Sequence, residues 1–209
     1  MITVIDLKIG NINSVSRALR HLKVEHGVSN EDSFIEKSDK LILPGVGNFS
    51  EAMKRMKEMG LDSVIKNLVS ERGIPILGIC LGMQLFASYG EEGSRVEGLD
   101  LVKGKVIFHR ASRMGLRIPH IGWNDVNSGK IKIFKSVEQS SCFYFTHSYE
   151  FIPDDQEHIE LGYTHYGLDF VSALQKGHIF GTQFHVEKSQ KVGLKVLSNF
   201  CEGSFYAEK

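Results

Sequence analysis

With 209 residues, 42% hydrophobic and 24% charged, the chain is large enough to bury a globular core without disulfides or metals. Its 25 basic residues balance 25 acidic ones with no polybasic or acidic tail, which speaks against a nucleic-acid footprint. Three cysteines without a C-x-x-C pair speak against a disulfide framework or a zinc site, and no apolar run is long enough for a membrane span, so the expectation is a cytoplasmic chain with reduced thiols.

Met1 to Asp6 reads as a strand rather than a targeting segment, with Ile2 to Ile5 its apolar run. Val15, Ala18, Leu19 and Leu22 then recur at helical spacing. Leu41-Ile42-Leu43 is a short strand stopped by Pro44 and Gly45. Ala52, Met53, Met56 and Met59 predict a helix, and Val64, Ile65, Leu68 and Val69 another, with Asp62 placed to cap it. Ile76 to Ile79 is a strand that runs directly into a helix from Met83 to Tyr89. Strands alternating with helices in this way imply right-handed crossovers and a mostly parallel sheet covered on both faces.

The second half reads differently. Val106 to Phe108, Cys142 to Phe145, Ile159 to Leu161 and Phe170 to Leu174 are strand-like, and Lys176-Gly177 predicts a hairpin into His178 to Phe184. Val192, Leu194, Val196, Leu197 and Phe200 predict a closing helix. The basic segment Arg110 to Arg117 reads as a solvated loop or a ligand or partner site. No repeat or linker divides the chain, so residues 1–209 are expected to form a single α/β domain with antiparallel strands in its C-terminal half.

Gly78-Ile79-Cys80-Leu81-Gly82 carries the chemistry. A strand ends at Ile79 and a helix begins almost at once, so the G-x-C-x-G pattern forms a nucleophile elbow, unless Cys80 is simply a small buried residue between glycines. Sulfur at such a turn faces the positive end of a helix, which favours thiolate, and the Leu81 amide points toward an oxyanion formed by attack. Cys142, in an aromatic strand, and Cys201, near the chain end, have no such setting. A cysteine nucleophile needs a base, and among nine histidines His185 alone follows an apolar strand with an acid two residues on, Glu187. In extended chain the two side chains point the same way, and strand ends gather at one edge of a parallel sheet, where His185 and Cys80 can meet. Pro44-Gly45-Val46-Gly47-Asn48, after another strand, reads as an oxyanion or substrate loop, or as a plain strand-to-helix turn. His109, His120 and His147 lack ligand-like spacing and are read as packing or loop residues, so no metal site is expected.

Over its whole length the sequence resembles the class I glutamine amidotransferases, and within them the glutaminase subunits of imidazole glycerol phosphate synthase. The resemblance rests on Gly10-Asn11, Leu43-Pro44-Gly45-Val46-Gly47, Leu77 to Leu85, Pro119-His120-Ile121-Gly122-Trp123-Asn124, His147-Ser148-Tyr149 and Gly181 to Gln190. It implies a flavodoxin-like sheet and a Cys80–His185–Glu187 triad that hydrolyses glutamine without a cofactor. Gln84, Gly47 and the His147-Ser148-Tyr149 segment would hold the substrate, and the Val46 and Leu81 amides would serve the oxyanion, Val46 after its peptide turns. Asn11, Pro119 and Trp123 resemble a docking face for a (β/α)8 cyclase or synthase subunit in a heterodimer. That subunit would use the ammonia to form imidazole glycerol phosphate and AICAR in histidine biosynthesis. Three positions depart from the pattern: Val186 stands where the family has proline, the first loop Asp6 to Asn11 lacks the usual tyrosine, and His165 replaces an acid. Two further readings stay open: a paralogous glutaminase supplying ammonia to a sugar-modifying amidotransferase of surface-polysaccharide synthesis, and a catalytically degenerate scaffold subunit.

Overall fold

A computed structural model describes residues 1–10, 12–154 and 157–206; the docking residue expected at Asn11 lies outside the described residues. In chain order the elements are β1 (Ile2–Ile5), α1 (Ile12–His21), β2 (His26–Ser29), α2 (Asp32–Ile35), β3 (Lys40–Gly45), α3 (Phe49–Glu58) and α4 (Leu61–Lys66). Next come β4 (Ile76–Cys80), α5 (Leu81–Gln84), β5 (Tyr89–Gly90), β6 (Val96–Glu97), β7 (Gly104–Phe108) and β8 (His120–Val126). The chain continues through β9 (Ser141–His147), β10 (Tyr149–Pro153), β11 (Glu160–Tyr166), β12 (Leu168–Lys176), β13 (Ile179–Thr182) and α6 (Gln190–Glu202).

The main sheet has the order β11-β12-β13-β4-β3-β1-β2. From β13 to β2 every pairing is parallel, whereas β11–β12 and β12–β13 are antiparallel. This is the mixed α/β architecture the alternation of elements predicts. Side chains alternate across β3, so Leu41 and Leu43 join one core layer and Ile42 the other. The first layer packs Phe49, Met53 and Met56 of α3 with Ile65 of α4. The second packs Val15 and Leu19 of α1 with Val196, Leu197 and Phe200 of α6. A strand buried on both faces therefore reads as a continuous apolar run. Two smaller sheets, β10-β7-β5-β6 and β8-β9, stand beside the main one.

Four local expectations are corrected. Strand β3 does not stop at Leu43: Pro44 and Gly45 continue it, opposite Ile79 and Cys80 of β4. Gly60, with φ 72°, occupies the cap of α4, and Asp62 sits in the first turn, where a carboxylate favours the positive helix end. The helix expected from Met83 to Tyr89 ends at Gln84. Backbone carbonyls that would continue it accept long-range amides instead: Leu85 from Leu99, Phe86 from Val102, Ala87 from Asp100 and Ser88 from Gly98. Arg110–Met114 forms a 3-10 turn rather than a free loop, because Arg110 grips the buried Glu150 with Nε on Oε1 and Nη2 on Oε2, both at 2.9 Å.

Candidate active site

The sheet register decides what meets what. Gly45 lies opposite Cys80, and Thr182 lies opposite Ile79, so the segments leaving β3, β4 and β13 emerge at one edge. Cys80 turns sharply there, with φ 55° and ψ −109°, a conformation that costs an ordinary residue energy and occurs where surrounding structure enforces it. The flanking glycines are what allow it. A Cβ on Gly82 would stand 1.8 Å from the Leu43 carbonyl oxygen, and one on Gly78 would stand 2.6 Å from the Met83 nitrogen. No side chain fits either position, since backbone blocks both.

His185 follows β13 and is 1% exposed. Its amide donates to Tyr144 O, and its carbonyl accepts from Ser189 Oγ at 2.6 Å, so its backbone is pinned on both sides. The bond between Nδ1 and Glu187 Oε1 is 2.8 Å. That contact is made across a 3-10 turn, Val186–Lys188, not along extended chain, and Val186 supports it without a proline. Nε2 of His185 is buried without a hydrogen bond of ordinary geometry, yet Cys80 interacts with the ring closely enough to raise its basicity. Burial alone would lower the basicity of His185, but Cys80 and Glu187 outweigh it and raise the pKa to about 9.

Beside the sulfur lies a cavity of about 270 Å³ lined by Val46, Gly47, Cys80, Leu81, Gln84, Glu92, Pro119, Thr146, His147, Ser148 and Tyr149. All the expected substrate and oxyanion residues line it, and so does Pro119, expected only at a docking face. A larger hollow of about 650 Å³ opens between the Ser128–Lys135 segment and the end of α6, but neither Cys80 nor any histidine lines it. Gly47 holds φ 118°, a backbone state that favours glycine, with open space where a Cβ would be. The gain at Gly47 is therefore conformational rather than steric.

Two residues escaped the sequence reading. Glu92 lines the cavity and accepts from the Phe49 amide at 2.6 Å, giving a carboxylate where an amino acid's ammonium can bind. Nothing in its local sequence, a turn between short strands, marks it. Gln183 places Nε2 3.6 Å from Cys80 Sγ and accepts from Gln84 Nε2 at 3.0 Å. It lies inside the G-T-Q-F-H motif, two residues before His185, and that position was its only signal.

The histidines also group differently from expectation. Buried His109, His120 and His147 each bring a ring nitrogen within 4.8 Å of the other two, although their spacing gave no sign of it. Such a donor set suits zinc or copper. Here, however, protein hydrogen bonds engage the lone pairs. His120 Nδ1 lies 3.1 Å from His147 Nε2, and His109 Nδ1 accepts from the Ala111 amide at 3.2 Å. Burial lowers the basicity of all three, to about 4 for His120, so each is neutral near pH 7.

On the exposed side of β8, Ile121 and Trp123 are 58% and 48% exposed, with Met114 and Leu116 also open to solvent. Trp123 is thus a surface side chain, its ring 5.9 Å from that of Tyr144.

Residues 3–203 match the family model described as glutamine amidotransferase class-I. The imidazole glycerol phosphate synthase subunit HisH 1 of Campylobacter jejuni (strain RM1221) is 44% identical over 201 residues, covering 96% of this chain and 98% of the relative. The HisH subunit of Chlorobaculum tepidum is 42% identical, covering 97% and 100%. Methanococcus maripaludis has two relatives, numbered HisH 1 and HisH 2, at 40% and 41% identity. Among solved structures, a glutamine amidotransferase shares the fold with a TM-score of 0.77 at 19% identity, over 96% of this chain and 97% of the other.

Proposed function

The chain belongs to the class I glutamine amidotransferases, and we propose that it hydrolyses glutamine at Cys80 and delivers the ammonia to a synthase subunit. The observation that carries this reading is the strained Cys80 turn, which opens on an amino-acid-sized cavity and is backed by the buried His185–Glu187 pair. The substrate enters with its ammonium toward Glu92, its backbone against Gly47, Ser148 and Tyr149, and its amide over Cys80. The thiolate forms a bond to the amide carbon, and the carbonyl oxygen takes the negative charge, facing the amides of Leu81 and Val46. His185, protonated near neutral pH, gives its proton to the nitrogen as the carbon–nitrogen bond breaks and ammonia leaves. Water then loses a proton to His185 and attacks the thioester, and the adduct expels the Cys80 thiolate and glutamate, whose carboxyl proton passes to solvent, restoring the thiolate–imidazolium pair. Glu187 holds the ring in the tautomer that aims Nε2 at the reacting atoms.

Ammonia leaves past Pro119, which is both exposed and part of the cavity wall, toward the apolar face of Ile121 and Trp123. That face suits a (β/α)8 synthase subunit, with Trp123 as an anchor. In this reading the heterodimer works in the cytoplasm, and its product is imidazole glycerol phosphate, with AICAR, in histidine biosynthesis. A second reading keeps the glutaminase and changes the acceptor to a sugar-modifying amidotransferase. It rests on the departures at the first loop and at His165, since both numbered Methanococcus relatives carry the synthase-subunit name.

The test is glutamate release by the purified chain, alone and with the synthase subunit and its nucleotide substrate, against Cys80→Ala. Cys80-dependent release that the partner stimulates at least tenfold supports the full assignment. Release indifferent to that partner leaves the glutaminase and favours the second reading. No release from a folded chain under either condition overturns the proposal.

A further inference from the structure

His120 has no part in the reaction just described, yet it is 3% exposed and held with unusual completeness. Its ring stacks on Tyr166 at 4.1 Å and on Phe145 at 4.9 Å between centroids. It sits directly opposite His147 in the β8–β9 ladder, which is why the two rings touch across 27 residues of sequence.

The hydrogen bonds fix every proton in the row. His147 Nδ1 lies 2.9 Å from Tyr149 O, which can only accept, so Nδ1 carries the hydrogen. A neutral ring then offers only a lone pair at Nε2, and His120 Nδ1 must donate to it. The remaining nitrogen of His120 accepts from Asn124 Nδ2 at 3.4 Å. Tyr149 O also accepts from Gln84 Nε2 at 2.9 Å. Both nitrogens of His147 are therefore occupied inside the protein. Although this residue lines the cavity, its ring has no nitrogen left for a ligand.

We propose that His120 is a positioning residue for glutamine: it fixes the tautomer of His147, and His147 in turn anchors the Tyr149 carbonyl and the Ser148-Tyr149 wall of the cavity. The proposal rests on the glutaminase reading and adds to it a residue that never meets the substrate. If the His120 donor is removed, the buried lone pair on His147 is orphaned. The ring can recover by moving its proton to Nε2, but it then turns a second lone pair on Tyr149 O and repels the carbonyl it held. The loop loosens, and Gln84 loses the carbonyl that orients it.

His120→Phe keeps the aromatic stack and deletes the donor. His120→Asn restores a donor, since its Nδ2 falls near the place of the imidazole Nδ1. Both would be compared with the unaltered full chain using two alkylators, a glutamine-shaped diazoketone and iodoacetamide, with labelling read on the Cys80 peptide because exposed Cys142 also reacts. In His120→Phe, the diazoketone concentration for half-maximal labelling rate should rise about tenfold. The limiting rate should stay within about twofold, iodoacetamide labelling should not change, and His120→Asn should recover most of the affinity. Unchanged affinity in a folded His120→Phe overturns the proposal. So does an equal loss with both reagents that asparagine fails to repair, since that is general loosening. Should His120→Phe not fold, Asn124→Leu takes its place, with about threefold weaker affinity expected and none overturning. If the unaltered chain reacts with iodoacetamide but shows no saturable labelling by the diazoketone, the glutaminase reading itself falls and takes the proposal with it.

Discussion

The two ends of the substrate cavity are built on opposite principles. At the nucleophile end, Gly78, Cys80 and Gly82 act within a few residues of one another, and His185 and Glu187 are two apart. The backbone does the positioning, through a positive φ at Cys80 and a 3-10 turn at Val186. At the loop end, no short segment contains the arrangement. His120 and His147 meet only because β8 and β9 pair in one register, and a slip of one residue would turn the two rings to opposite faces of the ladder. The contrast teaches that chemistry imposed by local backbone geometry is concentrated in short motifs, whereas support for that chemistry is dispersed along the chain.

The largest expected effect comes from separating the reacting atom from its mounting. Cys80→Ala should lower glutamine turnover by about 10⁴-fold or more while leaving the melting temperature nearly unchanged. The hydrogen bonds of the sulfur are long, 3.6 Å from Gln183 Nε2 and 3.9 Å to Thr146 O, so little is lost with them, and alanine keeps the Cβ in its place. Gly82→Ala should strike the mounting itself. Its Cβ would meet the Leu43 carbonyl carbon at 2.8 Å as well as the oxygen at 1.8 Å, and neither can move without breaking β3 from β4. A loss of roughly 3 kcal/mol, about 10 °C in melting temperature, is expected from a thermal melt. Nearly unchanged stability in Gly82→Ala would show that the elbow is not the rigid part of this comparison.

How much of this was legible follows the same division. The alternating apolar runs disclosed the parallel sheet, because β3 and β4 are buried on both faces and look it. The elbow and the H-x-E pair were legible because their geometry is local, although the bond between His185 and Glu187 forms across a turn and not along a strand. Strand β8 was missed: its interior alternates exposed and half-buried positions around Gly122 and Asn124, with no apolar stripe to betray it. Glu92 was missed because a carboxylate in a loop looks like any solvated acid until α3 brings the Phe49 amide to it. The early end of α5 was missed because its competitors for the carbonyls, Gly98 to Val102, come from later in the chain.

Glu187→Gln tests the nucleophile end more finely. It keeps the shape of the turn but gives up the charge that helps His185 hold its proton. Turnover should fall about 10²-fold. For the unaltered chain, activity should decline above about pH 9, as His185 loses the proton the leaving ammonia needs. Since Glu187 raises that pKa, the variant's decline should begin at lower pH. A pH–rate profile with the same alkaline limb in both proteins would mean that Glu187 does not govern the base.

The smallest effect gives the sharpest contrast, because the two regions should lose stability on opposite sides of neutrality. His185 has a raised pKa in the folded chain, so its contribution is complete below the unfolded value of about 6.5 and is lost as pH climbs through about 9. His109, His120 and His147 have lowered values, with His120 at about 4. The unfolded chain takes up their protons first, so their contribution is complete above about pH 6.5 and drains away as pH falls toward 4. His109→Phe preserves the ring packed on Phe170 at 4.8 Å and removes both one titrating group and the buried, unpartnered Nε2. Melting temperatures from pH 4.5 to 10 should then show a shallower acid slope in His109→Phe, by a few degrees over the range, with the alkaline slope intact. Cys80→Ala should leave the acid slope alone and bring the alkaline loss to lower pH, since Cys80 helps to raise His185. If each variant altered both limbs, the two ends of the cavity would be one coupled unit, and the division between a locally built nucleophile and a register-built support would not hold.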